Sequence, residues 1–597
     1  LNYRKHRRLR MKKQPFLNKV LYIDLAKRRY YTKERDDLFG RYIGGAGVAI
    51  QLLKEECPEG IDPLSPENPI IFAIGHLTGL FPLASKTVSM FKSPLTGNLG
   101  ESHAGGRSAI SIRMAGYGAI VLKGASPRPC YVAIHGDKVL FRDASTLWGM
   151  NSSITAGRFI RGNEPSSGFR TIMRIGPAGE KMIPFSCVTT ETFRHFGRLG
   201  LGAVFGSKKL KAVVVSGKRS IPVSDNKEYT KLYDLIFKTA TESPLMKKYH
   251  EIGTPMNVLA LNMSNGLPTR NLKDSSFEGA ENISGEKVAE GYLGKRLACA
   301  HCPVACIHIA ALREPYPDEP YFYKTTMIGY DYELLYSVGS MLGGSDVNGL
   351  LKILDRIEAY GLDCMSTGVS LAWATEALEK GIISEKDTGG LSLKWGDYPS
   401  YIEAVRMMLE QQNDFYAALS KGVEHVSGIY GGRDFALTFG GNEMPGYHTG
   451  PAAHVGCLAG ARHSHLDNAG YSFDKKLMLN KDLPSDDIAE GILAEERWRQ
   501  ILSSLVICFF AREIYKPEIV KDALRIAGMD LSEDDFNIIG EMIHTEKYRF
   551  KIREGFSFDN LRFPKRIFET PSSAGMIDET YINNLFSSVK QKINARL

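Results

Sequence analysis

Long apolar runs are what this sequence has least of. The longest, PIIFAIGHLTGLFPLA from Pro69 to Ala84, is broken by His76, Thr78 and two glycines, and it falls short of the ~20 residues that a membrane helix needs. No membrane span is expected. Net positive charge is also scarce outside one segment. The formal net charge is +8 over 597 residues, but residues 1–16, LNYRKHRRLRMKKQPF, hold seven Lys or Arg and no acid. Setting those seven aside leaves about +1 for the remainder, too little for a basic face that neutralises many phosphates, so nucleic acid is excluded as a partner. Cysteine is too sparse for a disulfide framework. There are nine, an odd number, with three packed into eight residues, which suits a reducing compartment and a metal site. Fixed-period repeats are lacking, as are low-complexity tracts apart from the basic arm, which excludes solenoids and disordered scaffolds.

The arm also lacks the features of an export signal. RRLRMKK is followed by QPFLNKVLYIDLAK, with no continuous apolar h-region, so a cytoplasmic address is expected. Because the chain opens with Leu1, Met11 is expected to be the natural start, with residues 1–16 disordered or not native.

From residue 17 to 217 short β-type runs alternate with glycine-rich turns, among them KVLYIDL, AIVLKG, CYVAIHGDKVLFRDA, RTIMRIG and LKAVVVSG. HGDKV reads as a hairpin. After Ser224 the apolar period becomes helical, as in SDNKEYTKLYDLIFKTA, SDVNGLLKILDRIEAYG, SYIEAVRMMLEQQ and DDIAEGILAEERWRQILSSL. The expected fold class is α+β: a β-rich domain over 17–217 and two mostly helical domains over 218–425 and 426–597.

Chemistry concentrates first in CAHCPVAC, where Cys299, Cys302 and Cys306 form a C-x2-C-x3-C run that lets three thiolates converge on one small inorganic core. Structural zinc and three incidental buried thiols are the plainer readings. An iron–sulfur cubane needs four thiolates, and Cys57, Cys130, Cys187, Cys364, Cys457 and Cys508 are the candidates for the fourth. The spacing is the reverse of the C-x3-C-x2-C used by radical enzymes that cleave S-adenosylmethionine, which disfavours that class. HFGRLGLGAVFGSKKLKAVVV lacks both G-x-G-x-x-G and the P-loop pattern, and it reads as running into a strand. Its Arg194, Arg198, Lys208 and Lys209 among glycines suit a phosphate or form an ordinary basic turn. In LKILDRIEAYGLDCMSTG, Leu350, Leu351, Leu354 and Ile357 make one apolar stripe and Gly361 is placed to end the helix. Asp363 then either accepts paired N–H donors from a pterin ring or caps the next helix.

Together these segments resemble the aldehyde:ferredoxin oxidoreductase family, tungsten-containing enzymes with a bis-pterin cofactor and a nearby four-iron cluster. The likeness covers almost the whole chain after residue 17, and DPLSPENPIIFAIGHLTG, FKSPLTGNLGESHAGG, MAGYGAIVLKGAS, IGPAGE, GRLGLGAVFGSKKLKA, CAHCPVAC, YDYELLYSVG, YGLDCMSTG and ICFF carry it in the family's order. The resemblance implies a β-rich base for the cofactor closed by two helical domains. It implies tungsten, or molybdenum, on a bis-pterin lined by Lys86, His103, Arg194, Arg198, Gly361, Leu362, Asp363 and the backbone near Ile507. It also implies one 4Fe-4S cluster on Cys299, Cys302, Cys306 and Cys508, Glu333 of YDYELLYSVG as the active-site acid or base, and His465, with His463 in competition, as its histidine.

Some positions depart from the family pattern. Ser503 replaces an expected acid, Val506 an expected glycine, Glu358 lengthens another acid, and Lys86 stands where many members have Arg. Lys352 and Asp355 occupy the place of an iron-binding E-x-x-H pair, so no bridging iron is expected, while a homo-oligomer is left open. The activity implied is oxidation of an aldehyde to a carboxylic acid with electrons passed to ferredoxin or an iron–sulfur partner subunit. The alternatives are a reductase subunit acting on an aromatic CoA ester, and an iron–sulfur carrier that has lost the pterin site.

Overall fold

The computed structural model describes residues 17–166, 168, 170–191, 193–223, 225–480 and 483–597, so the expectations for the arm at 1–16 lie outside the described residues. Short strands rich in β-branched and aromatic residues build two six-stranded sheets from the first third of the chain. The first runs Arg29–Glu34, Lys19–Asp24, Ala119–Lys123, Ile70–Ala73, Thr87–Lys92, Leu99–Ala104, with one parallel pairing, between Lys19–Asp24 and Ala119–Lys123. Its central strand IIFA is buried throughout, as expected where both faces are covered. The second sheet runs His195–Phe196, Val188–Thr189, Arg170–Arg174, Leu210–Ser216, Cys130–His135, Lys138–Asp143. Its last two strands form the hairpin expected at HGDKV, with Gly136 at φ 60° in the turn. The segment before Leu210 is not a plain run into a strand, because Leu201–Ser207 first makes a short helix.

Helices dominate after residue 225, including Val347–Tyr360, Cys364–Glu379, Ser485–Ser504 and Glu533–Arg553. The α+β class is therefore as the sequence pattern implies. Strands also occur in this mostly helical part: Leu293–Leu297, Ile307–Tyr316 and Glu319–Tyr330 form a three-stranded antiparallel sheet, and Thr438–Phe439 pairs with Asn442–Glu443. The alternation in IHIAAL and the β-formers of YFYKTTMIGY favour strands, and Pro317–Asp318 turns the chain between them. No helix among the described residues is long and apolar enough to cross a membrane. We propose to retain the division of the helical part near residue 425, with the boundary beside the helix Val423–Tyr430 in which that residue lies.

The C-terminal helices are seated on the first sheet by glycine. A Cβ at Gly75 would lie 2.5 Å from the Ser504 carbonyl oxygen, and one at Gly45, where φ is +33°, 2.4 Å from that of Ser503. Only a residue without a side chain lets the end of Ser485–Ser504 come so close. Ser504 returns the contact by accepting the Gly47 N–H at 3.0 Å. This seating brings residues 503–508 against the N-terminal domain and sets up the site.

Candidate active site

Cys299, Cys302 and Cys306 lie in the loop between two paired strands, Leu293–Leu297 and Ile307–Tyr316. The loop is wound tightly, with His301 at φ 57° and Ala305 at φ 52°. A distant segment stitches it to the fourth cysteine: Leu83 N–H donates to His301 O at 3.0 Å, Cys508 N–H to Leu83 O at 2.9 Å, and Lys86 N–H to Val506 O at 3.1 Å. Of the six candidates for a fourth thiolate, Cys508 is the one whose charge is felt by Cys302 and Cys306; Cys57, Cys130, Cys187, Cys364 and Cys457 are buried elsewhere. Lys86 and Arg194 lean on the same group. Burial opposes the charge on each, yet both are held above their ordinary values, Lys86 by the cysteines and Arg194 by Asp331, 3.4 Å away, and then by the cysteines. Val506, where the family pattern has glycine, takes φ +54°, a conformation costing an L residue about 1–2 kcal/mol.

Beside this group opens a cavity of about 950 Å³ whose wall includes His103, Arg198, Glu333, Asn442, Tyr447 and His465. Glu333 comes from the first turn of the helix Tyr332–Val338, which Asp331 caps by accepting the Leu334 N–H. It does not face open water as a helix-start glutamate usually does: its side chain keeps 17% exposure and its Oε1 stands 3.3 Å from His465 Nε2. Oε2 accepts the Gly446 N–H at 3.2 Å. Burial pushes the Glu333 carboxyl up to about 8, with Asp331 adding to the effect. Burial also lowers His465 to about 3, helped by the charge of Arg198. The pair therefore favours its uncharged forms, carboxylic acid and imidazole facing each other at 3.3 Å, with Glu333 Oε1 buried and not hydrogen-bonded among the described residues. Tyr447 packs its ring 4.9 Å from that of His465 and fixes it.

The two histidines of ARHSHLDNAGY separate cleanly. His463 has its Nδ1 at 2.9 Å from Leu458 O and its Nε2 at 3.0 Å from Lys551 Nζ, a buried histidine satisfied within the core. His465 lines the cavity, and its Nδ1 is buried without a partner.

Gly361 ends Val347–Tyr360 at φ 75°, as the apolar stripe implies. Leu362 bridges to Ser186, Gly361 O accepts from Cys187 N–H at 2.8 Å, and Asp363 N–H donates to Phe185 O at 2.9 Å, tying the turn to the N-terminal domain. Asp363 does cap the next helix, accepting the Met365 and Ser366 N–H groups. It also receives Arg198 Nε at 3.1 Å, while Arg198 Nη1 is buried with no partner. His103 Nε2 donates to the Glu101 carboxylate, 2.7 Å away, and burial lowers the imidazole to about 4. Ile507 is buried in the core, its N–H donating to Leu502 O at 2.9 Å, and is not among the residues that line the cavity. The pattern reading missed Glu443, which is buried, hydrogen-bonds Ser366 at 2.6 Å and sits beside Arg198; its setting, GGNEMPG, looks like an ordinary turn.

A β-rich base closed by helices over a deep, mostly apolar cavity set with a few polar groups, with four cysteines gathered beside it, suits a redox enzyme rather than a passive binding protein. The comparisons agree. The chain belongs to the aldehyde ferredoxin oxidoreductase family: the model of that family's N-terminal domain matches residues 20–217 and that of its domains 2 and 3 matches 231–592. It is 30% identical over 561 residues, 90% of this chain and 89% of the relative, to a tungsten-containing aldehyde ferredoxin oxidoreductase of Thermococcus kodakarensis. The Pyrococcus furiosus protein of the same description is also 30% identical, over 564 residues. An aliphatic sulfonate oxidoreductase, WOR-like subunit, of Pyrococcus furiosus is 26% identical over 89% of this chain and 85% of its own. In fold the chain is similar to the active site complex BamBC of benzoyl coenzyme A reductase, with TM-score 0.81, 21% identity, and coverage of 98% of this chain and 95% of that one. The protein is thus an oxidoreductase of this family.

Proposed function

We propose that the protein holds tungsten, or molybdenum, on a bis-pterin and oxidises an aldehyde to its carboxylic acid, releasing electrons singly through a 4Fe-4S cluster on Cys299, Cys302, Cys306 and Cys508. Ferredoxin or an iron–sulfur partner subunit is the acceptor. The observation that carries the reading is the Glu333–His465 pair, an acid with pKa near neutrality on the wall of a chamber large enough for cofactor and substrate.

The residues present fit both groups. Arg198 Nη1, Asn442 Oδ1 and His465 Nδ1 are buried polar atoms without partners around the chamber, and such atoms call for a polar occupant. At the cysteines, a Cβ on Gly105 would lie 2.8 Å from Cys299 Sγ and 3.1 Å from Lys86 Nζ, so glycine keeps room there. Among the described residues no three His, Cys, Asp or Glu side chains converge tightly enough for one metal ion; thiolates spread around a cluster of four irons are wider apart than the ~3.8 Å of a tetrahedral zinc site, worked from Zn–S bonds of about 2.3 Å. Bound in these places, the metallated pterin supplies the two-electron oxidation and the cluster its one-electron exit.

The chain's own residues do the rest. Arg198, positioned by Asp363 and the Glu443 carbonyl, offers a free N–H to an anionic group. Lys86 is a single-point donor between Cys299 and the chamber, where an Arg would bridge two acceptors. Glu333 takes the proton lost as a water-derived oxygen is added, acting through the carboxylate fraction that a pKa of about 8 leaves available near working pH. His465 is too weak a base to store that proton, so it orients Glu333 and the substrate oxygen. An electron carrier would have no use for such a chamber, which favours an enzyme. Anaerobic reduction of a viologen dye on addition of an aldehyde tests the reading, with two dye molecules expected per aldehyde. Metallated protein that reduces no dye with any aldehyde would overturn it, and reduction of an aromatic CoA ester by that protein would transfer the assignment to the thioester reductases.

A further inference from the structure

A separate cavity of about 490 Å³ carries six cations on its wall, Arg107, Arg158, Arg161, Arg170, Arg174 and Lys295, against two carboxylates, Glu191 and Glu358. Each carboxylate is engaged through one oxygen, while Glu191 Oε1 and Glu358 Oε1 are buried without a hydrogen-bond partner among the described residues. Glu358 pairs with His195 at 3.0 Å, and Glu191 accepts the Ile172 N–H at 2.9 Å and the Thr171 hydroxyl at 3.0 Å. The cations are not: among the described residues no ion pair holds any of the six. Arg170 and Arg174 are buried and donate to backbone carbonyls, Arg174 Nε to Ser153 O at 2.6 Å and Arg170 Nη1 to Pro165 O at 3.1 Å. Arg107, Arg158, Arg161 and Lys295 are exposed around them. Glu191 and Glu358 attract Arg174 from the same wall, yet six cations against two carboxylates leave an excess of like charge that focuses a positive potential in the concavity. A bound anion offsets that excess.

The cavity lies next to the cysteines through three independent connections. Leu297 of its wall is two residues from Cys299. Phe193 precedes Arg194, the residue that leans on the thiolates. Arg107 follows Gly106, whose carbonyl accepts the Ala300 N–H at 2.9 Å, inside the cysteine loop. Ala298 and His301 of that loop are exposed, so the loop itself reaches the surface. Concentrated positive charge at the edge of an electron exit has the chemistry to recognise an acidic one-electron carrier.

We infer that this basic cavity and its rim are the docking site of an acidic electron-carrying protein, one of whose carboxylates enters between Arg170 and Arg174 while its acidic surface meets the exposed cations. The inference rests on the proposed electron path through the four cysteines. Each docking removes one electron, so two carrier molecules are reduced per aldehyde oxidised. Rim charges of this kind act on encounter rate and orientation more than on final affinity, which fixes the experiment.

The holoenzyme and its Arg158→Glu/Arg161→Glu variant are assayed with three acceptors: benzyl viologen, an acidic single-cluster ferredoxin, and basic cytochrome c. The variant should keep viologen turnover and lose at least about tenfold in kcat/KM for ferredoxin at low salt, with the difference shrinking as ionic strength rises. Cytochrome c reduction should not fall. Lys295→Glu, on the opposite wall and in a different element, should repeat the pattern, which guards against a local folding defect. Ferredoxin kcat/KM within about twofold of wild type in both variants, or an equal loss with cytochrome c, would overturn the docking site. Absence of viologen turnover in the wild-type holoenzyme would instead overturn the electron path on which it rests.

Discussion

Replacing Glu333 by Gln isolates proton handling from everything else in the chamber. The side chains are isosteric, so the amide oxygen can keep the Gly446 N–H and the amide N–H₂ can face His465 Nε2, 3.3 Å from the present Oε1. What is lost is the titrating proton. In the wild type the carboxyl moves from an ordinary value near 4.5 up to about 8, and each unit is worth about 1.4 kcal/mol, so the site prefers the uncharged form by a few kcal/mol. The sign follows for stability: the folded state binds a proton that the unfolded state has released between about 4.5 and 8. Stability from this group is full below its unfolded value and declines as pH rises through 8. Glu333→Gln should flatten that decline in thermal unfolding between about pH 4.5 and 8. In turnover the variant should keep tungsten, pterin and cluster and lose about 10²–10⁴-fold, the usual worth of one general acid or base. It should also lose the limb of the pH–rate profile assigned to this group. Near-wild-type aldehyde oxidation by a fully metallated Glu333→Gln protein would refute the role.

Four further outcomes follow from the same geometry. Cys508→Ala should abolish the cluster or convert it to a smaller one, and an intact four-iron signal in paramagnetic resonance of the reduced variant would transfer the fourth ligand to another cysteine. His465→Ala should cut turnover at unchanged metal content, whereas His463→Ala should chiefly lower thermal stability by emptying a core position held by Leu458 and Lys551; equal kinetic losses would contradict the separation. Asp474, buried and pushed up to about 7 by burial, accepts the Ala452 and Ala453 N–H groups and the Thr449 hydroxyl, so Asp474→Ala should cost about 1–3 kcal/mol in denaturant unfolding without changing substrate specificity. Arg198→Lys should weaken pterin retention, since one point donor replaces a planar group shared between Asp363 and the Glu443 carbonyl; unchanged pterin content after gel filtration would argue against its cofactor contact.

Much of this was legible locally. The stripe through Leu350, Leu354 and Ile357 and the stop at Gly361 depend on residues within a few positions of one another, and they appear in the fold as written. The HGDKV hairpin is equally local. The three-stranded sheet around the cysteine loop was obscured because helical periods dominate on both sides of it, and the apolar alternation that marks Ile307–Tyr316 is short. Non-local placement was the harder part. Nothing around Cys508 ranks it above Cys57 or Cys457; its position next to Cys302 and Cys306 depends on the Leu83–Lys86 segment and on glycines at 45 and 75. His463 and His465 are two residues apart, and only the packing of the chain assigns one to Lys551 and the other to Glu333. Glu443 went unseen because a buried carboxylate in a glycine-rich turn has the same sequence signature as an exposed one.

The most direct test of the central claim is elemental and pterin analysis of protein purified without oxygen. The structure leads us to expect about four irons per chain on the cysteines and about one tungsten or molybdenum accompanied by pterin in the Glu333 chamber. Iron without tungsten, molybdenum or pterin, or zinc in place of iron, would contradict it.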